Sequence, residues 1–199
     1  GFHGLSCSWS VSEAGRLLQR NPAELQLLVA HLGGGCSVTA VQHGHGIDTT
    51  MGFSPLEGLI MATRSGSVDP AAILWLQTRQ QLQPSEMMDA LENESGLLAL
   101  AGVSGLREIQ QRAAGNDASA VLARDAFVHR VRAGVGAMLM SLDRCDAIVF
   151  TGGIGEHDAA LRGSVMAGWA LSPLPPVLVV HAREDLVMAS QAARVLNRP

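Results

Sequence analysis

The chain has 199 residues, 47% of them hydrophobic and 16% charged, with a formal net charge of -4. These values suit a folded core and exclude the basic surface that a nucleic acid or an anionic membrane would require. There is no lysine, so all 14 fixed cations are arginines, and a phosphate loop built on a lysine is excluded. Cys7, Cys36 and Cys145 are widely separated with no CxxC pair, which argues against a disulfide framework or a structural zinc and for a cytoplasmic protein. No apolar run reaches membrane-spanning length.

In chain order, "SWSVSEAGRLLQR" from Ser8 carries helical spacing and is stopped by Asn21-Pro22. "LQLLVAHL" reads as a buried strand, and "CSVTAVQ" and "HGIDTTM" as a hairpin around His43-Gly44. Helices are then expected over "PLEGLIMATRSG", "DPAAILWLQTRQQ", "SEMMDALENESG", "GLREIQQRAAG" and the long "ASAVLARDAFVHRVRAGVGAMLMSL". "CDAIVFTGGIGEHDAALRGSVM" reads as strand, glycine turn and helix, with Glu156 at the helix start. "VLVVH" is a strand leading into the helix "AREDLVMASQAARVL". The order describes a sheet, a helical insert and two strand-turn-helix units.

Two glycine-rich stretches invite a ligand. In "IVFTGGIGEHD" a turn between strand and helix presents backbone N–H groups to phosphate, although packing alone also selects glycine there. "HLGGG" enters a hairpin, where glycines line donors along a phosphate chain or simply bend a twisted sheet. His31, His43 and His45 lie close in sequence, but with no matching cysteine or carboxylate a structural or exposed role outweighs a metal site. Arg64, in the small-residue loop "MATRSGSVDP", either presents its planar fork to a carboxylate or phosphate or pairs with Asp69 or Glu57. Glu184 and Asp185 open the last helix, where carboxylates complement the helix dipole or hold hydrated Mg2+.

Taken in order, "GFHG", "HLGGG", "DTTMGFSPLEGLIMATRSGSVDP", "SGLL", "DAIVFTGGIGE" and "VLVV" followed by "ED" and "VMA" strongly resemble the C-terminal half of the acetate kinases and the related propionate kinases, from Gly1 to about Leu196. The resemblance implies an α/β fold, a ribonuclease-H-like domain of the actin-like ATPase superfamily, with a helical insert at about 55–140. The whole chain would be the C-terminal nucleotide-binding and dimerisation domain, with the N-terminal domain absent. The implied activity is ATP-dependent phosphorylation of a short-chain carboxylate, acetate or propionate, to an acyl phosphate, with ATP/ADP and Mg2+. The implied assembly is a homodimer through the helical insert. The alternative is a catalytically inactive fragment serving as a dimerisation or interaction module.

By the same resemblance, His3 and Arg64 are catalytic: His3 hydrogen-bonds the transferring phosphoryl group and Arg64 neutralises its charge and that of the carboxylate. His31, Gly33, Gly34 and Gly35 belong to the phosphate-binding hairpin, and Gly153, Ile154 and His157 to the adenosine turn. Arg107 lies near the adenine and ribose, and Glu184 is the carboxylate associated with Mg2+. The chain departs from the family pattern at Cys7 (histidine), Gly34 (asparagine), Gly105 (aspartate), His157 (asparagine) and Arg183 (asparagine). The relatives also carry an extra strand and loop before "VLVV", where this chain has only "PLPP".

Overall fold

Residues 2–169 and 173–196 are described by a computed structural model, so the start of the shortened connection, at 170–172, lies outside the described residues. The elements are α1 (Gly4–Leu18), β1 (Gln26–Leu32), β2 (Cys36–Gln42), β3 (His45–Thr49), α2 (Pro70–Gln80), α3 (Pro84–Asn93), α4 (Gly96–Ala101), α5 (Leu106–Ala114), α6 (Ala118–Leu139), β4 (Ala147–Thr151), α7 (Gly152–His157), α8 (Ala159–Met166), β5 (Val177–Val179) and α9 (Glu184–Leu196). The chain divides into two units. The first comprises Gly1–Gly33, Ser37–Thr49 and Val135–Pro199, and the second Gly34–Cys36 and Thr50–Gly134.

Among the described residues, five strands form one sheet in the order β3-β2-β1-β4-β5. β2 and β3 are antiparallel across the turn at His43 (φ 53) and Gly44 (φ 76), whose paired positive φ values match the twist of a tight hairpin. β4 is parallel to both β1 and β5. This is the ribonuclease-H-like arrangement expected from the sequence. β1 and β4 are the central strands, and Leu27–Ala30 and Ala147–Phe150 are fully buried, as an apolar run covered on both faces must be. One face packs Leu27, Val29, Ala147 and Val149 against Val11 and Ala14 of α1; on the other side Gly155 of α7 sits close to Ala30, Leu32 and Phe150.

The start of the β1/β4 pair is held by charge. The Asp146 carboxylate accepts the Gln26 N–H (2.8 Å), Arg20 Nη1 (2.9 Å) and Arg144 Nε (3.2 Å). Gln26 Oε1 in turn accepts the N–H groups of Asp143 and Arg144, each at 3.1 Å. Burial opposes ionisation of Asp146, but these donors outweigh it and hold its carboxyl below the usual range.

The second unit is helical and looped. Asp69 and Asp117 accept N–H groups at helix starts, Ala71 at 2.8 Å and Ser119 at 3.0 Å. The Ser119 hydroxyl and the Arg112 fork hold the Asp117 carboxyl well below its usual range.

Three sequence expectations change. α1 starts at Gly4, ahead of Ser8, so Cys7 lies in its first turns and donates its N–H to His3 O at 2.9 Å. No helix forms over 55–66, because Gly58 (φ 106) and Gly66 (φ 72) adopt left-handed backbone and Ser67 N bonds Gly58 O at 3.1 Å. The turn after β4 is itself the first turn of α7, so Glu156 falls at the end of that short helix rather than its start. α4, which the sequence reading left without an element, joins this segment by main-chain bonds, Leu97 N to Met61 O at 2.9 Å among them.

Asp146→Asn removes both arginine pairings and places an amide against donor groups, at an expected cost of about 1–3 kcal/mol in urea unfolding. Because the folded carboxyl titrates below its unfolded value, the wild-type advantage is complete above about pH 4 and shrinks as pH falls further. A difference that stays constant through acid would contradict this account.

Candidate functional site

The parallel register pairs His31 with Thr151, so β1 and β4 end side by side and both glycine turns leave the same edge. Gly152 begins α7 with φ +78, and a Cβ there would lie 2.7 Å from Leu32 O and 3.2 Å from His31 Nε2. Only glycine fits, and its neighbour Gly153 is exposed, with nothing within 4 Å of a Cβ position. The backbone is therefore brought close to β1 on one side and left open on the other. His157 folds back over the turn, its Nδ1 2.9 Å from Gly153 O, and Ile154 is half-buried.

His3 precedes α1 in a left-handed conformation, φ 55 and ψ 20, rare for a residue with a side chain. Its ring stacks on His31, with centroids 4.0 Å apart and planes 19° from parallel. Each imidazole is oriented by a serine: His3 Nδ1 is 2.9 Å from Ser37 Oγ and His31 Nδ1 is 2.8 Å from Ser6 Oγ. Burial pushes the His31 pKa down, and the Glu156 charge only partly opposes it. His31 is therefore neutral near pH 7, which lets two imidazoles stack without repulsion.

Cys7 is half-buried beside them. Burial pushes its thiol up, the hydrogen bond to Thr39 pulls it down, and the charge of Glu184 raises it again. Cys7 therefore contributes a neutral thiol. Glu184 opens α9 and is partly buried, while Arg183 turns away onto Asp185, with Nε 2.9 Å from Oδ1 and Nη2 2.8 Å from Oδ2.

His3, His31, Gly33, Gly153, Ile154, His157 and Glu184 belong to the first unit, and Gly34, Gly35, Arg64 and Arg107 to the second. Arg64 sits in a laced segment: Ser65 N bonds Leu91 O at 3.0 Å, Ser95 N bonds Thr63 O at 2.9 Å, and Thr63 Oγ1 bonds Glu92 O at 2.8 Å. Its Nη1 lies 3.5 Å from Pro55 O, and among the described residues it forms no ion pair, with neither Asp69 nor Glu57. Arg107 is exposed on the first turn of α5, after Gly105. Ser6, Ser37, Glu156 and His181 were not assigned roles from the sequence. Their partners lie 25 or more positions away, and no local pattern signals such pairs.

Among the described residues, no three His, Cys, Asp or Glu side chains form a metal-binding group. Mg2+ ordinarily takes one or two carboxylates and completes its shell with waters and substrate phosphates, so a single partly buried Glu184 fits an ion that arrives with a nucleotide better than a protein cage. No helix among the described residues is long and apolar enough to cross a membrane.

The model of the Acetokinase family matches residues 1–187. An acetate kinase of Synechococcus sp. (strain JA-2-3B'a(2-13)) is 46% identical, the match covering 99% of this chain and 54% of that protein. One from Gloeobacter violaceus is 39% identical over 100% of this chain and 55% of its own length. The crystal structure of Porphyromonas gingivalis acetate kinase superposes with a TM-score of 0.92 at 29% identity, over 99% of this chain and 55% of that one. A propionate kinase from Francisella tularensis gives 0.90 at 34% identity, over 95% and 54%. The chain spans about half the length of these relatives.

Gly152→Ala is expected to cost about 1–3 kcal/mol from the left-handed backbone alone, before its collision with Leu32 O. Gly34→Asn meets nothing within 4 Å of its Cβ, so its thermal midpoint should equal that of the wild type. Parallel thermal melts check both; equal midpoints for all three proteins would refute the close-approach argument.

Proposed function

Because the chain belongs to the acetokinase family, we propose that it supplies the nucleotide- and phosphoryl-binding half of an ATP-dependent carboxylate kinase that converts a short-chain carboxylate, acetate or propionate, to its acyl phosphate. The observation that carries the reading is the pair of glycine turns at adjacent strand ends, with the stacked His3 and His31 beside them. Such an arrangement suits phosphoryl transfer, in which positioning and charge neutralisation outweigh covalent chemistry.

On this reading the backbone of Gly33–Gly35 faces phosphates, and Gly153, Ile154 and His157 face the adenosine, with Arg107 near its base and ribose. Ser37 orients the His3 ring toward the transferring phosphoryl group. Arg64 supplies a planar fork to the carboxylate and the equatorial phosphoryl oxygens. Glu184 would hold Mg2+, which neutralises phosphate charge when bound. The half of the relatives' length without a counterpart here would complete the carboxylate side of the site.

Calorimetric titration with Mg·ADP is expected to detect binding at millimolar nucleotide or below; no heat there would favour the alternative of an inactive interaction module. In a hydroxamate assay with a relative's N-terminal half supplied, acyl phosphate should form, and Arg64→Ala should lower its rate on the order of 10²–10³-fold. An unchanged rate would remove Arg64 from the proposed chemistry.

A homodimer through the second unit is part of the same proposal. α2 has no buried residue and exposes Leu74, Trp75 and Leu76, with Arg79 over the Trp75 ring at 5.7 Å; a patch of this kind marks an association surface. Sedimentation should give twice the chain mass for the wild type and a shift to monomer for Trp75→Glu. A wild-type monomer at all concentrations would sink this part.

A further inference from the structure

Glu156 bridges two segments that the sequence keeps apart. Only 8% of its side chain is exposed. Its carboxylate accepts the N–H of Ala182 at 2.9 Å and pairs with His181 Nδ1. One anion thereby joins α7 to the connector between β5 and α9, just ahead of Glu184. Trp9 fixes the same connector from α1, donating Nε1–H to His181 O at 2.9 Å.

We propose that Glu156 is a positioning residue of the nucleotide-facing turn, holding α7 and the Ala182 connector in one arrangement, with His181 as a second anchor. The nucleotide assignment of that turn rests on the function proposed above; the tie itself rests on geometry. A buried carboxylate that lost these partners would leave the Ala182 N–H unsatisfied along with its own charge. Burial alone would favour the neutral acid, yet Ala182, His181 and Gly152 outweigh it and hold the Glu156 carboxyl below its usual range. The anionic form is therefore the one that makes the tie.

His181 is reached by solvent, with 75% of its side chain exposed. Other charged and titratable groups surround the pair. His31 on β1 feels the Glu156 charge, and His157 bonds Gly153 O. Arg162 of α8 donates to the Gly155 and Glu156 carbonyls at 2.8 and 2.9 Å. Arg183, Glu184 and Asp185 follow in the chain, with Arg183 paired to Asp185. All of these are retained in a His181 variant, so that variant isolates the second anchor.

Amide hydrogen exchange of the ligand-free 199-residue chain and titration with Mg·ADP test the tie. In Glu156→Gln the Ala182 amide should exchange about tenfold faster than in the wild type, because a neutral amide oxygen accepts a weaker hydrogen bond than a carboxylate, and in His181→Gln, an exposed and mild change, by a smaller factor. Mg·ADP should bind Glu156→Gln about three- to tenfold more weakly than the wild type. An Ala182 amide that keeps the wild-type exchange rate in Glu156→Gln, or a loosened Ala182 amide with wild-type Mg·ADP affinity, overturns the proposal. If no form binds Mg·ADP, the nucleotide reading fails, while the amide exchange still decides the tie.

Discussion

The parallel pairing of β1 with β4 is the constraint on which the first unit depends. It sets His31 opposite Thr151, and one residue later the backbone of α7 begins against Leu32 O, at a position where a Cβ would lie 2.7 Å from that oxygen. Without glycine there, either α7 would move off the sheet or the two strand ends would splay. The same Cβ position lies 3.2 Å from His31 Nε2, so the approach also sets the start of α7 against the ring that stacks on His3.

The opposite end of the same strand pair uses a different device. Asp146 and Gln26 exchange main-chain and side-chain hydrogen bonds, and Arg20 and Arg144 complete the carboxylate's shell. A one-residue slip would break every one of these bonds and turn the buried Leu27 and Val29 to the wrong face. Charge thus specifies register where the strands begin, and the absence of a side chain specifies geometry where they end.

Much of this was legible in the chain. β1 and β2 are largely apolar runs bounded by turn residues, β3 follows from the hairpin turn at His43-Gly44, and Asp69-Pro70 and Gln83-Pro84 announce the starts of α2 and α3 through their fixed φ and capping oxygens. The failures share a cause. Apolar residues at helical spacing over 55–66 suggested a helix, but Leu59 and Met61 are buried by a loop that Gly58 and Gly66 bend and that α4 laces in place. α1 starts at Gly4 because His3 takes up the left-handed turn before it, a strain no periodicity records. Of the candidate site, the glycines and Arg64 were visible as motifs, whereas Ser6, Ser37 and His181 act through partners distant in sequence and were not.

The distribution of charge gives the two units different parts in the proposed chemistry. In the first unit, Arg16, Arg20, Arg144 and Arg183 are each committed to a carboxylate, and Arg162 caps the end of α7. Around the turns that unit offers backbone dipoles, a neutral His31, a neutral Cys7 thiol and the carboxylates of Glu156 and Glu184. Dipoles hold a nucleotide's phosphates, but the charge that develops in phosphoryl transfer calls for a cation. This chain has no lysine, so a fixed side-chain cation that it contributes is an arginine. Arg64 has no ion pair among the described residues, its carbonyl accepts Met61 N–H at 3.2 Å and its two neighbours, Thr63 and Ser65, are hydrogen-bonded to the segment 91–95, which makes it the arginine the proposed chemistry draws from the second unit. On the proposed reading the first unit contributes backbone dipoles for phosphate and the second contributes the Arg64 cation, two demands that phosphoryl transfer makes of different chemical groups.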